Sequence, residues 1–219
     1  MTDTLTLPMP TDADDRVLLH GMRWNDYESV LDQIGERHIF VTYDGRNLEI
    51  MSPSPEHDNA SELLSVVVRI LAEELHVPLR GLGSTTFRQE DLEKGLEPDK
   101  CFYTKNEAKI RGKKRLDLRR DPPPDLAIEV EITQRLLDRE QIYAALGVPE
   151  LWRYDGRKLR VFVLVRGKYR DRDRSRTFPG VPLELIERWL RHSLTMDEAT
   201  WALEVRAYVC RNRKRLALQ

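Results

Sequence analysis

The chain has 219 residues, of which 40% are hydrophobic and 33% charged, and a formal net charge of −1. That length can bury one substantial core, and the stock of Leu, Val and Ile excludes wholesale disorder, while the near-neutral charge excludes a generally basic nucleic-acid coat. No apolar run approaches the ~20 residues of a membrane span, and the acidic start MTDTLTLPMPTDADD lacks the basic end and apolar centre of a signal peptide, so a cytoplasmic protein without a membrane partner is expected.

In chain order, residues 1–15 read as a flexible tail and 16–219 as one domain. WNDYESVLDQIGE predicts a short helix, with Asn25 or Asp26 as a cap, Tyr27, Val30, Leu31 and Ile34 on one stripe, and Gly35 as a stop. HIFVTYDGRNLEIMS predicts a hairpin around Asp44-Gly45. Residues 53–78 give the clearest helix, with Ala60, Leu63, Leu64, Val67, Ile70, Leu71 and Leu75 at helical spacing and Pro78 beyond its end. Glu56, four residues before Ala60, falls on the same inward stripe.

Three strand-like runs follow, PLRGLGSTTF, LEPDKCFYT and PDLAIEVEIT, the third preceded by a basic loop over residues 105–121. QRLLDREQIYAALG then predicts a helix closed by Gly147, and PELWRYDG a strand. The order from Glu56 onward is helix, three strands, helix, strand. KLRVFVLVRGKYRD suggests a further hairpin, and LELIERWLRHS and TMDEATWALEVRAYVCRNRKR two closing helices on which Trp189, Trp201 and Tyr208 pack. Cys101 and Cys210 lie too far apart in sequence to suggest a disulfide framework or a zinc site, and both read as packing residues. Basic residues concentrate in 109–120, 157–176 and 211–215, which permits a polyanionic partner without requiring one.

The strand PDLAIEVEIT carries the chemistry. Read with a period of two, Leu126, Ile128, Val130 and Ile132 share one face, and Asp125, Ala127, Glu129 and Glu131 the other. Glu129 and Glu131 stand about 7 Å apart along that face, near enough for one site but too far to share a proton. An inward carboxylate needs a hydrogen bond, a counter-charge or a bound cation. Asp99 lies in the strand-like run before, and strands adjacent in sequence are usually neighbours in a sheet, so Asp99 and Glu129 are expected to project toward one point. Hard oxygen ligands in that arrangement suit Mg²⁺ or Mn²⁺, which activates water and stabilises charge on a phosphodiester. Glu56 offers a third carboxylate, unless it is there only for the helix macrodipole. His57 reads as a proton relay or as plain structure.

EPD at 97–99 and EVE at 129–131, set on this element order, resemble the PD-(D/E)XK restriction-endonuclease-like superfamily, whose core is helix, three strands, helix, strand. More closely, LEIMSPSPEH, GSTTFRQEDLEKGLEPD, PPPDLAIEVEIT and IYAALGVPELWRYDG are similar to the Uma-two family of endonucleases within it. The resemblance covers about 48–156 and implies an α/β fold, a mixed sheet flanked by helices. It implies Asp99, Glu129 and the carbonyl of Val130 as metal ligands. Glu131 stands where the superfamily motif ends in lysine, and a carboxylate cannot supply that positive charge. Arg139 on the following helix offers the missing cation as a phosphate clamp; alternatively it pairs with Glu131 or Asp138 at the helix surface. Glu131 in turn is open to binding a second metal or holding Arg139.

The expectation is a Mg²⁺-dependent endonuclease hydrolysing DNA, with the backbone held by the 109–120 loop and the C-terminal arm. The alternatives are a catalytically silent nucleic-acid-binding module and a protein-interaction module, including a homodimer built on the closing helices. Hydrolysis requires the acids to meet; acids already neutralised by arginine or lysine would leave only the architecture.

Overall fold

The computed structural model describes residues 13–83 and 85–217. Its strands are β1 (Asp15–His20), β2 (Phe40–Tyr43), β3 (Asn47–Ser52), β4 (Arg80–Leu82), β5 (Phe87–Gln89), β6 (Lys94–Leu96), β7 (Lys100–Tyr103), β8 (Leu126–Val130), β9 (Glu150–Tyr154), β10 (Leu159–Val165) and β11 (Lys168–Arg172). Its helices are α1 (Trp24–Ile34), α2 (Pro55–Glu74), α3 (Glu107–Ile110), α4 (Arg139–Ala145), α5 (Leu183–His192) and α6 (Glu198–Leu216).

The strands form two sheets. One has the order β11-β10-β9-β8-β7-β4, the other β1-β3-β2-β6-β5. In the first, β4, β7 and β8 run antiparallel, and α4 crosses over to β9, which pairs parallel to β8. This is the helix, three strands, helix, strand order read from the sequence, with β5 and β6 diverted between β4 and β7 into the second sheet. The result is a mixed α/β architecture flanked by helices.

β8 is buried along its whole length because both faces of its sheet are covered. Leu126, Ile128 and Val130 pack with α2, α5 and α6, whereas Ala127 packs on the opposite side with Ile142, Tyr143 and Leu146 from α4 and the turn that closes it. The apolar face is as read; the face carrying Glu129 is buried as well. Trp189 and Trp201 are core residues, and the indole N–H of Trp201 donates to the Trp189 carbonyl at 2.8 Å. Tyr208 packs edge-on against Trp189.

The Asp44-Gly45 hairpin is present, with Gly45 at φ +98° and Asp44 accepting the N–H groups of Arg46 and Asn47. Gly147 closes α4 at φ +76°. The start of α4 differs from the sequence expectation. Asp138 caps the N–H of Glu140, while Leu136 and Leu137 donate their N–H groups to Glu49 instead of to a helical turn, so 132–138 is a loop. At the N-terminus, the expected tail falls mostly on 1–12, outside the described residues; Asp14 is buried and Asp15 opens β1. Cys101 is buried as expected, but Cys210 is exposed on α6 and is not a packing residue.

Candidate metal and phosphate site

The pairing of Lys100 with Ile128 and of Cys101 with Ala127 places Asp99 beside Glu129 at the end of the β7–β8 ladder. The two carboxylates meet as the alternation predicts. Asp99 Oδ2 accepts the backbone N–H of Val130 at 2.6 Å, fixing the first acid to the strand that carries the second. Both side chains are 1% exposed.

Glu129 is neutralised by two arginines. Arg139 Nη2 lies 2.9 Å from Glu129 Oε1 and also donates to the carbonyl of Glu97. It is therefore buried and bound to Glu129, not paired with Glu131 or Asp138 at the helix surface. Arg135 Nη2 contacts Glu129 Oε2, donates to the carbonyl of Val130 at 3.1 Å and lies 4.0 Å from Asp99 Oδ2. Its Nε is 2.9 Å from Glu131 Oε1. One guanidinium nitrogen thus faces all three oxygens of the expected ligand set. The hydroxyl of Tyr143 donates to Glu129 Oε1. Burial and the neighbouring negative charge of Glu129 push the Tyr143 phenol well above its ordinary value, so it remains a donor. Burial raises the Glu129 carboxyl, and Arg135 and Arg139 pull it back.

Glu131 does not hold Arg139. Arg153 on β9 grips it bidentately, at 3.0 and 2.6 Å, and also reaches Glu140. Arg135, Arg139, Arg153 and Tyr143 line a cavity of about 310 Å³ together with Glu129 and Glu131.

Glu56 is exposed and does not enter the site. The buried stripe of α2 runs through His57, Ser61, Leu64 and Val68, so at the first turn its centre falls on His57 and Glu56 sits on the rim, where the macrodipole favours it regardless. His57 lies 3.1 Å from Asp99 through Nε2 and 3.3 Å from Asp14 through Nδ1. Burial opposes its charge, but hydrogen bonds to Asp14 and Asp99 outweigh this and raise it to about 9. Burial likewise works against Asp99 and Asp14, yet the His57 contacts hold both below the usual carboxylate range. Asp14 further binds Arg16, Thr133 and the Ser54 N–H, and Arg16 reaches Glu49 at 2.7 Å.

The sequence reading missed Arg135, Arg153, Asp14, Arg16 and Glu49. A signal for Arg135 was present: Arg135, Arg139 and Tyr143 recur every fourth residue, and all three reach Glu129. For Asp14 and Arg16 there was none, since their partners His57, Glu49 and Thr133 lie in separate segments, Thr133 more than one hundred residues away along the chain.

Over residues 24–197, from the start of α1 to the cap of α6, the sequence matches the model of the Uma2 family, described as "Putative restriction endonuclease". The chain belongs to the Uma2 family. No curated protein matches it. The Uma2 match spans the six-stranded sheet, the five-stranded sheet apart from β1, and every residue of the site except Asp14 and Arg16, which join it from β1 and its approach.

The basic segments divide unequally around this Uma2 site. In the 105–121 loop, Arg111, Lys113 and Arg119 pair with Glu107, Asp121 and Asp117. Lys113 to Arg119 also border a groove of about 830 Å³ that reaches Glu97, whose carbonyl holds Arg139. The C-terminal arm is remote: Arg213 pairs with Glu74 at the far end of α2, about 25 Å from His57 along the helix axis.

Proposed function

We propose that this Uma2 protein is a divalent-metal-dependent nuclease that hydrolyses DNA phosphodiester bonds, with Asp99, Glu129 and the carbonyl of Val130 as ligands. The observation that carries this reading is the convergence of those three oxygens on one cationic nitrogen, Arg135 Nη2. The donor set is all hard oxygen, the set that Mg²⁺ and Mn²⁺ prefer. Asp99 Oδ1, fully buried, has no hydrogen-bond partner among the described residues, so the site retains acceptor capacity that a buried carboxylate does not normally leave unused. When bound, the metal supplies Lewis-acid stabilisation of the phosphate and a lowered pKa for the attacking water.

The chain's own residues do the rest. His57 fixes the rotamer of Asp99 and keeps it ionised. Arg139, held by the Glu97 carbonyl, presents positive charge to the cavity beside Glu129, where a phosphate oxygen would be bound, and takes the electrostatic part of the missing lysine. Arg139 is a poor proton acceptor, which leaves deprotonation of water to the metal. Glu131, neutralised by Arg153, orients that second arginine at the cavity wall. The 105–121 loop, across the groove from Glu97, holds the nucleic-acid backbone by its cations.

A second reading has its own observation, the one under which the sequence leaves only the architecture: Glu129 is already compensated by two arginines and Asp99 by His57, as in a nucleic-acid-binding module without hydrolysis. Incubating supercoiled plasmid with the protein in Mg²⁺ or Mn²⁺ separates the two. Nicking by the wild type that is lost in Asp99→Asn and Glu129→Gln supports the nuclease. Plasmid binding without nicking, in either metal, supports the silent module.

A further inference from the structure

Two arginines reach Glu129, and they are not equivalent. Arg139 is rooted in α4, lies over the ring of Tyr143, and is tied to both Glu129 and the Glu97 carbonyl. Arg135 comes from the 132–138 loop. That loop is pinned, the backbone N–H groups of Leu136 and Leu137 donating to Glu49 at 2.7 and 3.1 Å and the Thr133 hydroxyl donating to Asp14 at 2.8 Å. The Arg135 side chain, in contrast, turns its Nη2 to the oxygens a metal would use, Glu129 Oε2, the Val130 carbonyl and, at 4.0 Å, Asp99 Oδ2, while its Nε faces Glu131 Oε1 at 2.9 Å. Its Nη1 has no hydrogen-bond partner among the described residues, although the side chain is only 9% exposed.

Resting on the metal reading above, we propose that Arg135 is the site's internal counter-cation: its guanidinium occupies the divalent-metal seat, metal entry displaces it, and its departure sets the metal affinity. Two cations cannot share three oxygens at contact distance, because their mutual repulsion in a buried site is as strong as the attraction each feels. Displacement is open to Arg135 because it already lines the 310 Å³ cavity next to the seat, and a four-bond side chain can turn into that space while its pinned backbone stays. Arg139 remains on Glu129 and keeps one charge there. With neither Arg135 nor a metal, the buried Glu129 Oε2 would face no cation, which is costly, and Arg135 removes that cost in the metal-free protein.

Mn²⁺ titration of wild type and Arg135→Gln, read by the electron paramagnetic resonance of free Mn²⁺, tests the assignment. Arg135→Gln is expected to bind Mn²⁺ at least tenfold more tightly, to melt lower than wild type in EDTA, and to gain more in Tm on Mn²⁺ addition. Equal or weaker Mn²⁺ binding by the variant overturns it. A measurement on wild type alone covers the case in which the variant does not fold: phenylglyoxal labelling of Arg135, read by peptide mass spectrometry, should rise when Mn²⁺ is added. Labelling that is unchanged or reduced at saturating Mn²⁺ overturns the proposal. If the wild type binds no Mn²⁺, the metal reading and this inference fail together; if it binds Mn²⁺ with an affinity indifferent to residue 135, only the role of Arg135 fails.

Discussion

The backbone N–H of Val130 donates to Asp99 Oδ2 at 2.6 Å, so the first acid of the site is also a strut between β7 and β8. Replacing Asp99 by alanine leaves that N–H and the His57 imidazolium buried without their acceptor. Asp99→Ala is expected to lose about 3–5 kcal/mol of stability in EDTA. Asp99→Asn, which keeps an oxygen for Val130, is expected to lose about 1–3 kcal/mol. Urea denaturation of the two variants checks this, and equal losses would show that the strut contributes little. Asparagine is accordingly the substitution to use when cleavage is assayed.

Tyr143 holds Glu129 through its hydroxyl while its ring fills the core beneath α4. Tyr143→Phe keeps the ring and removes only the donor to an ionised acceptor, at an expected cost of about 1.5–3 kcal/mol. Chemical denaturation with an unchanged m-value would confirm a local loss. A stability equal to wild type would mean that the two arginines alone satisfy Glu129.

Glu56 lies on the exposed rim of the first turn of α2. Glu56→Ala should leave Mn²⁺ affinity as in wild type and change stability by less than about 1 kcal/mol, the size of a macrodipole interaction. Isothermal titration and thermal melting read both quantities. A tenfold weaker Mn²⁺ affinity would return Glu56 to the site.

The two thiols should separate cleanly. Cys210 is exposed, whereas Cys101 is buried and its thiol is pushed up to about 12 by burial. A disulfide reagent such as DTNB at neutral pH should therefore titrate one thiol in the native protein and both in denaturant. Two fast-reacting native thiols would show that the Cys101 side of β7 opens readily.

The element order was legible because periodicity reports local geometry: the two-residue alternation around Glu129 and the stripe of α2 from Ala60 to Leu71 survive in the fold. The Asp99–Glu129 meeting was legible for the same reason, since it needs only two neighbouring strands in register. What hid the rest was long-range compensation. Arg135 was assigned to a helix because QRLLDREQIY has helical spacing, yet Glu49 takes the N–H groups of Leu136 and Leu137 and Asp138 starts the helix later. Glu49 and Asp14 sit in segments whose local pattern gives no hint of a partner across the molecule. The position of Glu56 failed by one residue, because a first-turn residue lies at the edge of a stripe whose centre is set by the turns that follow.

His57 makes the metal-free fold depend on pH. Its folded-state value of about 9 lies above the ordinary 6.5 because Asp14 and Asp99 favour the imidazolium more than burial opposes it. A raised value means the folded state holds the proton more tightly than the unfolded chain, so the stabilisation is complete below 6.5 and drains away as pH climbs through about 9. The difference corresponds to about 3 kcal/mol. In EDTA, urea midpoints for wild type should fall between about pH 6 and about pH 10 while m stays constant. His57→Gln, which has no proton to lose, should start less stable and show a flatter profile over the same range. If the two proteins keep a constant stability difference across that range, the imidazole is neutral in the fold and the Asp14–His57–Asp99 chain is held by neutral hydrogen bonds instead of charge.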